Sequence, residues 1–295
     1  MKETLAKTKS FLQSNSFKKY AKRFGYFILG LIAILLLACG GLSLYFNRHK
    51  TEIIAKVNTK INENINGTFH VTDFHYKFLT GFPYFTLALN EVEIKDNKWE
   101  SHKHTLLRAK EIEARLNIWS LLQHEINIHK ILINDAAIYV YKAADGYSNA
   151  NIFKPKKKKP KTDQEKPETT IDEVNLNKVH VIIDNHLGHK LFDFDVASLE
   201  SKVNYDDDNW QTNLFLKTKI NSLAFNTVHG SFAKGKVLEG KLDISYAEAK
   251  QKIDINTKGL KIGSDSFDIL AYFNIGKNNS LFGINIGTDI LWQNA

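Results

Sequence analysis

Cysteine and proline are the scarce residues: one cysteine, Cys39, and four prolines in 295 residues. A single thiol excludes an intramolecular disulfide framework and any multi-cysteine zinc or iron–sulfur site. Three of the prolines, Pro155, Pro160 and Pro167, fall in one short stretch, so the rest of the chain is almost free of backbone breakers. Phosphate-cradling glycine loops, a GxSxG elbow and an HExxH pair are all missing from the sequence. Disorder of the whole chain is excluded by 43% hydrophobic and 24% charged residues, an ordinary globular balance that allows one or two domains.

The net charge of +8 is concentrated rather than spread. Residues 1–23 hold Lys2, Lys7, Lys9, Lys18, Lys19, Lys22 and Arg23 against Glu3, and Lys154–Lys161 adds six lysines without an acid. Once these are set aside the body is mildly acidic, a poor match for phosphate backbones, and no nucleic-acid partner is expected.

Residues 24–46 carry no charge. As a helix they would reach about 34 Å, enough to cross a bilayer. The basic first segment places the N-terminus in the cytoplasm and everything after Asn47 on the far side, and Phe24, Tyr26, Phe27, Tyr45 and Phe46 suit the two interfaces. Leu36-Leu37-Ala38-Cys39 resembles a lipobox, with acylation of Cys39 as the alternative, but the apolar run continues to Phe46, so an uncleaved anchor is expected.

Ile53, Ile54, Val57, Ile61 and Ile65 then recur at helical spacing, predicting an amphipathic helix over 47–66 that stops at Asn66-Gly67 and packs on the end of the β region after it. Beyond Gly67 the period becomes two. Leu87 and Leu89 alternate with Ala88 and Asn90, and Ile112, Ala114, Leu116 and Ile118 oppose Glu111, Glu113, Arg115 and Asn117. The runs EINIHKILI, AAIYVY, KVHVII, KLFDFDV, TNLFLKTKI, KLDISY and QKIDIN have the same form. No later segment is patterned as a helix long enough to cover a sheet, which predicts a mainly antiparallel meander. Residues 154–170 hold no apolar side chain and are expected to be a solvated linker or loop, dispensable for folding, between a first β region at 67–153 and a second at 171–295.

Catalytic and metal sites are not expected. His186 and His189 flank Gly188 in a turn near Asp184 and Asp193 without a firm third ligand. His102 and His104 read as loop histidines, and Asp206-Asp207-Asp208 lacks the calcium-loop spacing. The chain is expected not to be an enzyme and to carry no cofactor or metal.

The order of features resembles a family. A basic start, one membrane helix and an apolar-faced helix lead to Gly81-Phe82-Pro83. After these come the Leu106–Ile118 strand with Trp119-Ser120-Leu121-Leu122, the EINIHKILIND strand, and the turn from Asp145-Gly146 to Asn149-Ala150-Asn151. Together, over about residues 1–153, these are similar to the N-terminal region of AsmA-like proteins, relatives of the repeating β-groove, bridge-like lipid transfer proteins. The resemblance implies a mainly β fold: a single N-terminal transmembrane helix, a short amphipathic helix, and a curved, mostly antiparallel sheet forming an apolar groove. It also implies an inner-membrane, single-pass protein with a periplasmic body that binds or conducts phospholipid, or another membrane lipid, for outer-membrane biogenesis. Partners would be the inner membrane and other envelope proteins. The chain is short for that family, as a fragment or truncated gene would be, and its strands would stack to a sheet some 60 Å long. Residues proposed to face lipid are Leu87, Leu89, Ile112, Ala114, Leu116, Ile118 and Phe215. Two other outcomes stay open: closure of the sheet's halves as a sandwich, and a membrane-tethered interaction module without lipid transport.

Overall fold

A computed structural model describes residues 47–77, 84–117, 128–152, 171–206, 209–274 and 282–288, with residues 40, 41 and 44 ahead of them. Compact units divide at Ile53/Ile54. Among the described residues no helix is long and apolar enough to cross a membrane. The expected anchor at 24–46 lies almost wholly outside them, as does the 154–170 segment.

Helix α1 spans Lys50–Asn64. Eleven strands follow: β1 Gly67–Lys77, β2 Tyr84–Asp96, β3 Leu107–Asn117, β4 Ile128–Lys142, β5 Ile171–Asn185 and β6 Lys190–Asp206. The second group is β7 Asn209–Ala224, β8 Val237–Ala247, β9 Lys252–Ile262, β10 Asp265–Asn274 and β11 Phe282–Thr288. A short helix, α2, occupies Trp99–His102. All eleven strands belong to one open sheet in the order β1 to β11, which is also their order in the chain. No second sheet lies over it among the described residues, so the sandwich is not what forms.

One expectation needs correction: EINIHKILI and AAIYVY belong to a single strand, β4. The sheet is mainly antiparallel, as expected, with one parallel pair that makes it mixed: β4 and β5 run parallel, Ile128 beside Ile171 and Lys142 beside Asn185, while every other neighbouring pair among the described strands is antiparallel. A parallel pair requires the chain to return the length of the strand before pairing again, and the segment expected to be dispensable makes that return.

Helix α1 closes the β1 edge. Ile54, Val57 and Ile61 pack against the buried cluster that includes Phe69 and Val71. On the same helix, Asn58 Oδ1 accepts from the Val71 amide at 3.0 Å and its Nδ2 donates to the Val71 carbonyl at 3.5 Å. One turn on, Asn62 does the same for Phe69, at 2.5 and 3.0 Å. Residues four apart on a helix sit on one face, and residues two apart on a strand point their backbone groups the same way. Two side-chain amides therefore replace a neighbouring strand.

The turn after β4 is held by Asn149, which is fully buried. Its Oδ1 accepts from the Tyr141 amide at 2.8 Å and its Nδ2 donates to the Tyr139 carbonyl at 2.8 Å. Replacing Asn149→Ala strands two backbone groups in a buried site, at about 1–3 kcal/mol for each unsatisfied group. A thermal melt should show a loss of about 2–6 kcal/mol in total. A melt unchanged from wild type would mean that water reaches this turn.

Candidate functional site

Period two would send Leu87 and Leu89 to one face and Val92 and Ile94 to the other. The side chains do otherwise. Leu89, Ile112, Ile133, Leu176 and Leu199 pack against a buried cluster that contains Val92, Ala109, Ala136, Val179 and Val196. Each member of the first set is three residues from its counterpart in the second, so both lie on one face and the alternation must slip once between them. The ladder shows where: pairing runs Asn90↔Glu111 then Val92↔Ala109, Glu111↔Asn134 then Ala109↔Ala136, and Asn134↔Asn177 then Ala136↔Val179. The residues passed over on β2, β4 and β5 are Glu91, Asp135 and Lys178, whose φ values are +52°, +48° and +54°. This left-handed region is costly for residues with a Cβ. Here it occurs at one row of the sheet, where it turns the following side chains over and keeps the apolar face on one side.

That face carries long apolar rows. One runs Phe74, Leu89, Ile112, Ile133, Leu176, Leu199, Leu216 from β1 to β7. Beside it run Leu87, Ala114, Ile131 and Val174, then Ser201, Leu214 and Leu242. Toward the other edge, Ile255, Ala271 and Ile284 form one row, and Thr257, Ile269 and Ile286 the next. Leu89, Ile112, Ile133, Leu176, Leu199 and Leu216 are half-buried, as expected of large side chains that touch their neighbours in a sheet with no second sheet over it among the described residues.

The opposite face is polar and laced across strands. Lys77 pairs with Glu113 at 3.0 Å, Arg108 with Glu93 at 2.6 Å, Lys130 with Glu173 at 3.2 Å and Lys217 with Glu239 at 3.0 Å. Hydrogen bonds from Lys95 lower the Glu93 carboxyl below its ordinary range against the opposing effect of burial, with Arg108 adding to the lowering. Such exposed pairs contribute little stability, but they keep that face wet.

Of the residues proposed from sequence to face lipid, Leu87, Leu89, Ile112, Ala114 and Leu116 come together: Leu87 stands beside Ala114, Leu89 beside Ile112, and Leu116 beside Phe85. Ile118 lies outside the described residues. Phe215 does not join them, since it pairs with Glu200 and Lys241 while Leu214 and Leu216 occupy the apolar rows. The sequence reading missed Ile131, Ile133, Val174, Leu176 and Leu199. The signal for the first four was present as alternation within EINIHKILI and the start of β5, and for Leu199 within β6, but no strand order connected them to β2 and β3.

His102 and His104, expected as exposed loop histidines, are half-buried in a polar cluster at the end of the sheet, His102 closing α2 and His104 in the loop before β3. The Asp96 side chain is fully enclosed and bonds to Tyr147 Oη and, at 3.1 Å, to His102 Nε2. Burial opposes its ionisation, yet hydrogen bonds from Tyr147, His102 and the Lys98 amide outweigh this and hold the carboxyl below its ordinary value. His104 stacks on Tyr139 with ring centroids 4.3 Å apart, and Tyr139 Oη donates to Asp184 at 3.0 Å. Burial and Asp184 push Tyr139 up to about 12. Each of these groups has a structural partner, in the connection between β2 and β3 that carries α2, in the turn after β4, or on β5. Among the described residues no group of three or more His, Cys, Asp or Glu is arranged to hold a metal.

A model of the AsmA family matches residues 18–254, about four-fifths of the chain. No curated protein and no solved structure matches.

Proposed function

Because the chain belongs to the AsmA family, we propose that its apolar face binds or conducts phospholipid acyl chains. The protein would act as a non-catalytic component of the bacterial envelope, anchored in the inner membrane with its body in the periplasm, and would serve outer-membrane biogenesis. The supporting observation is the continuous row from Phe74 to Leu216, buried at Phe74 and half-buried from Leu89 onward, with no second sheet over it among the described residues. Apolar patches of this extent mark binding surfaces. Rows of Leu, Ile and Val offer no directed polar contact, so they suit hydrocarbon, at about 0.8 kcal/mol gained per CH₂ buried.

Photoreactive residues separate the faces. At Leu89, Ile133 or Leu199 they should capture phospholipid, and at Glu113, Lys130 or Lys217 they should not. Native mass spectrometry of the purified protein should show the same lipid bound. Equal labelling of both faces would sink the lipid reading, and labelling of protein alone would transfer the face to an interaction module.

A further inference from the structure

The two edges of the sheet are unlike. Strand β1 is closed by Asn58 and Asn62, whereas β11 pairs only with β10 among the described residues. Edge strands are ordinarily protected by charge, proline or a bulge. Residues 282–288, FGINIGT, contain no charge and no proline, and β11 runs in unbroken register with β10 from Phe267↔Thr288 to Phe273↔Phe282. Ile284 and Ile286, on the apolar face, are 54% and 53% exposed. On the other face the Tyr272 ring lies where a side chain at Gly283 would stand, so the strand's own side chains leave that side low.

The segment is also self-complementary. Gly283-Ile284-Asn285-Ile286-Gly287 reads the same in both directions. Antiparallel pairing about a twofold axis at Asn285 places Asn285 opposite Asn285, Ile284 opposite Ile286 and Gly283 opposite Gly287. Like apolar pairs in direct cross-strand contact are favourable. An axis normal to the sheet keeps both apolar faces on the same side.

We propose that β11 is a homodimer interface, at which two copies of this chain join edge to edge into one sheet with a continuous apolar face. The asparagine-closed β1 edge prevents further strand addition there, so association stops at two, as an isologous contact should. This proposal concerns association alone and does not depend on the lipid reading.

The full chain in detergent should sediment as a concentration-dependent dimer. In a Cys39→Ser background, Asn285→Cys should form a disulfide-linked dimer under mild oxidation, more readily than Ile284→Cys, which lies off the axis. The double variant Ile284→Lys/Ile286→Lys sets like charges opposite each other and should weaken dimerisation by at least about tenfold, and so should Ile284→Glu/Ile286→Glu. Mixing the two should restore a heterodimer, which also shows that both variants fold. A monomer at every concentration, a dimer indifferent to the paired lysines, failure of the mixture to associate, or occupation of β11 by a different protein would each overturn the proposal.

Discussion

Deleting residues 154–170 should destroy the sheet, although the segment has no apolar side chain to bury. After β4 the chain is fixed at Ile152, whose carbonyl accepts from the Asn66 amide at 2.6 Å beside the start of β1. It must next enter β5 at Ile171, opposite Ile128, at the far end of a strand of 15 residues. At about 3.3 Å per residue the return is about 45 Å. With 154–170 removed, only Phe153 would connect Ile152 to Ile171, reaching about 7–8 Å. Intact, the connection can extend to about 60 Å. A same-length Gly/Ser replacement should therefore fold normally, and shortening should be tolerated until about 13 residues are left. Full deletion should lose the cooperative melt and the β-sheet circular dichroism signal. A deleted protein that melts like wild type would show that β4 and β5 are not parallel neighbours.

A charge on the apolar rows should abolish lipid retention without unfolding the sheet. Leu176 lies mid-row between Ile133 and Leu199 and is half-buried. Leu176→Asp puts an unpaired carboxylate among hydrocarbon whenever an acyl chain occupies the face, at a cost on the order of several kcal/mol. Copurified phospholipid should fall by more than about tenfold, since 1.4 kcal/mol already corresponds to tenfold. Empty, the same position is half open to water, so stability should fall only by the packing lost from a half-buried leucine, about 1–2 kcal/mol, and the sheet should still fold. Phe215→Asp is the discriminating control. Although Phe215 is apolar and is proposed from sequence to face lipid, alternation puts it with Asn213 and Lys217, and its pairing with Glu200 and Lys241 agrees in placing it on the polar side. Its replacement should leave lipid retention near wild type. Equal losses from both variants would mean that the faces are not functionally distinct.

Much of the fold could be read from the residues: the period change after Gly67, the strands of 84–117 and 171–262, and the apolar face of α1. Three features could not, each for a physical reason. Alternation is a local signal, so a single left-handed residue such as Glu91 or Asp135 looks like an end or a fault rather than a deliberate change of phase; β4 was split in two on that account. Strand direction is set by what the chain can reach, and a polar connection hides a crossover because no helical pattern in its sequence marks it. Asn58 and Asn62 are unremarkable on a helix surface, and only the proximity of the Phe69 and Val71 backbone gives them work. For the candidate site, the sequence indicated which residues of β2 and β3 share a face; the continuation through β4 to β7 required the register.

Strand order that matches chain order also governs how the molecule can be made. Except across the β4–β5 return, each strand's partner is the segment that came just before it, so most contacts are close in sequence and the loop-closure entropy per step is small. A chain delivered from its N-terminus presents α1 and β1 first, and the asparagines cap the starting edge before β3 exists. Every later strand then has one open edge to join. Assembly can proceed in a single direction as the polypeptide emerges, with one slow step at β5, which must wait for some thirty residues to pass before its neighbour can be paired.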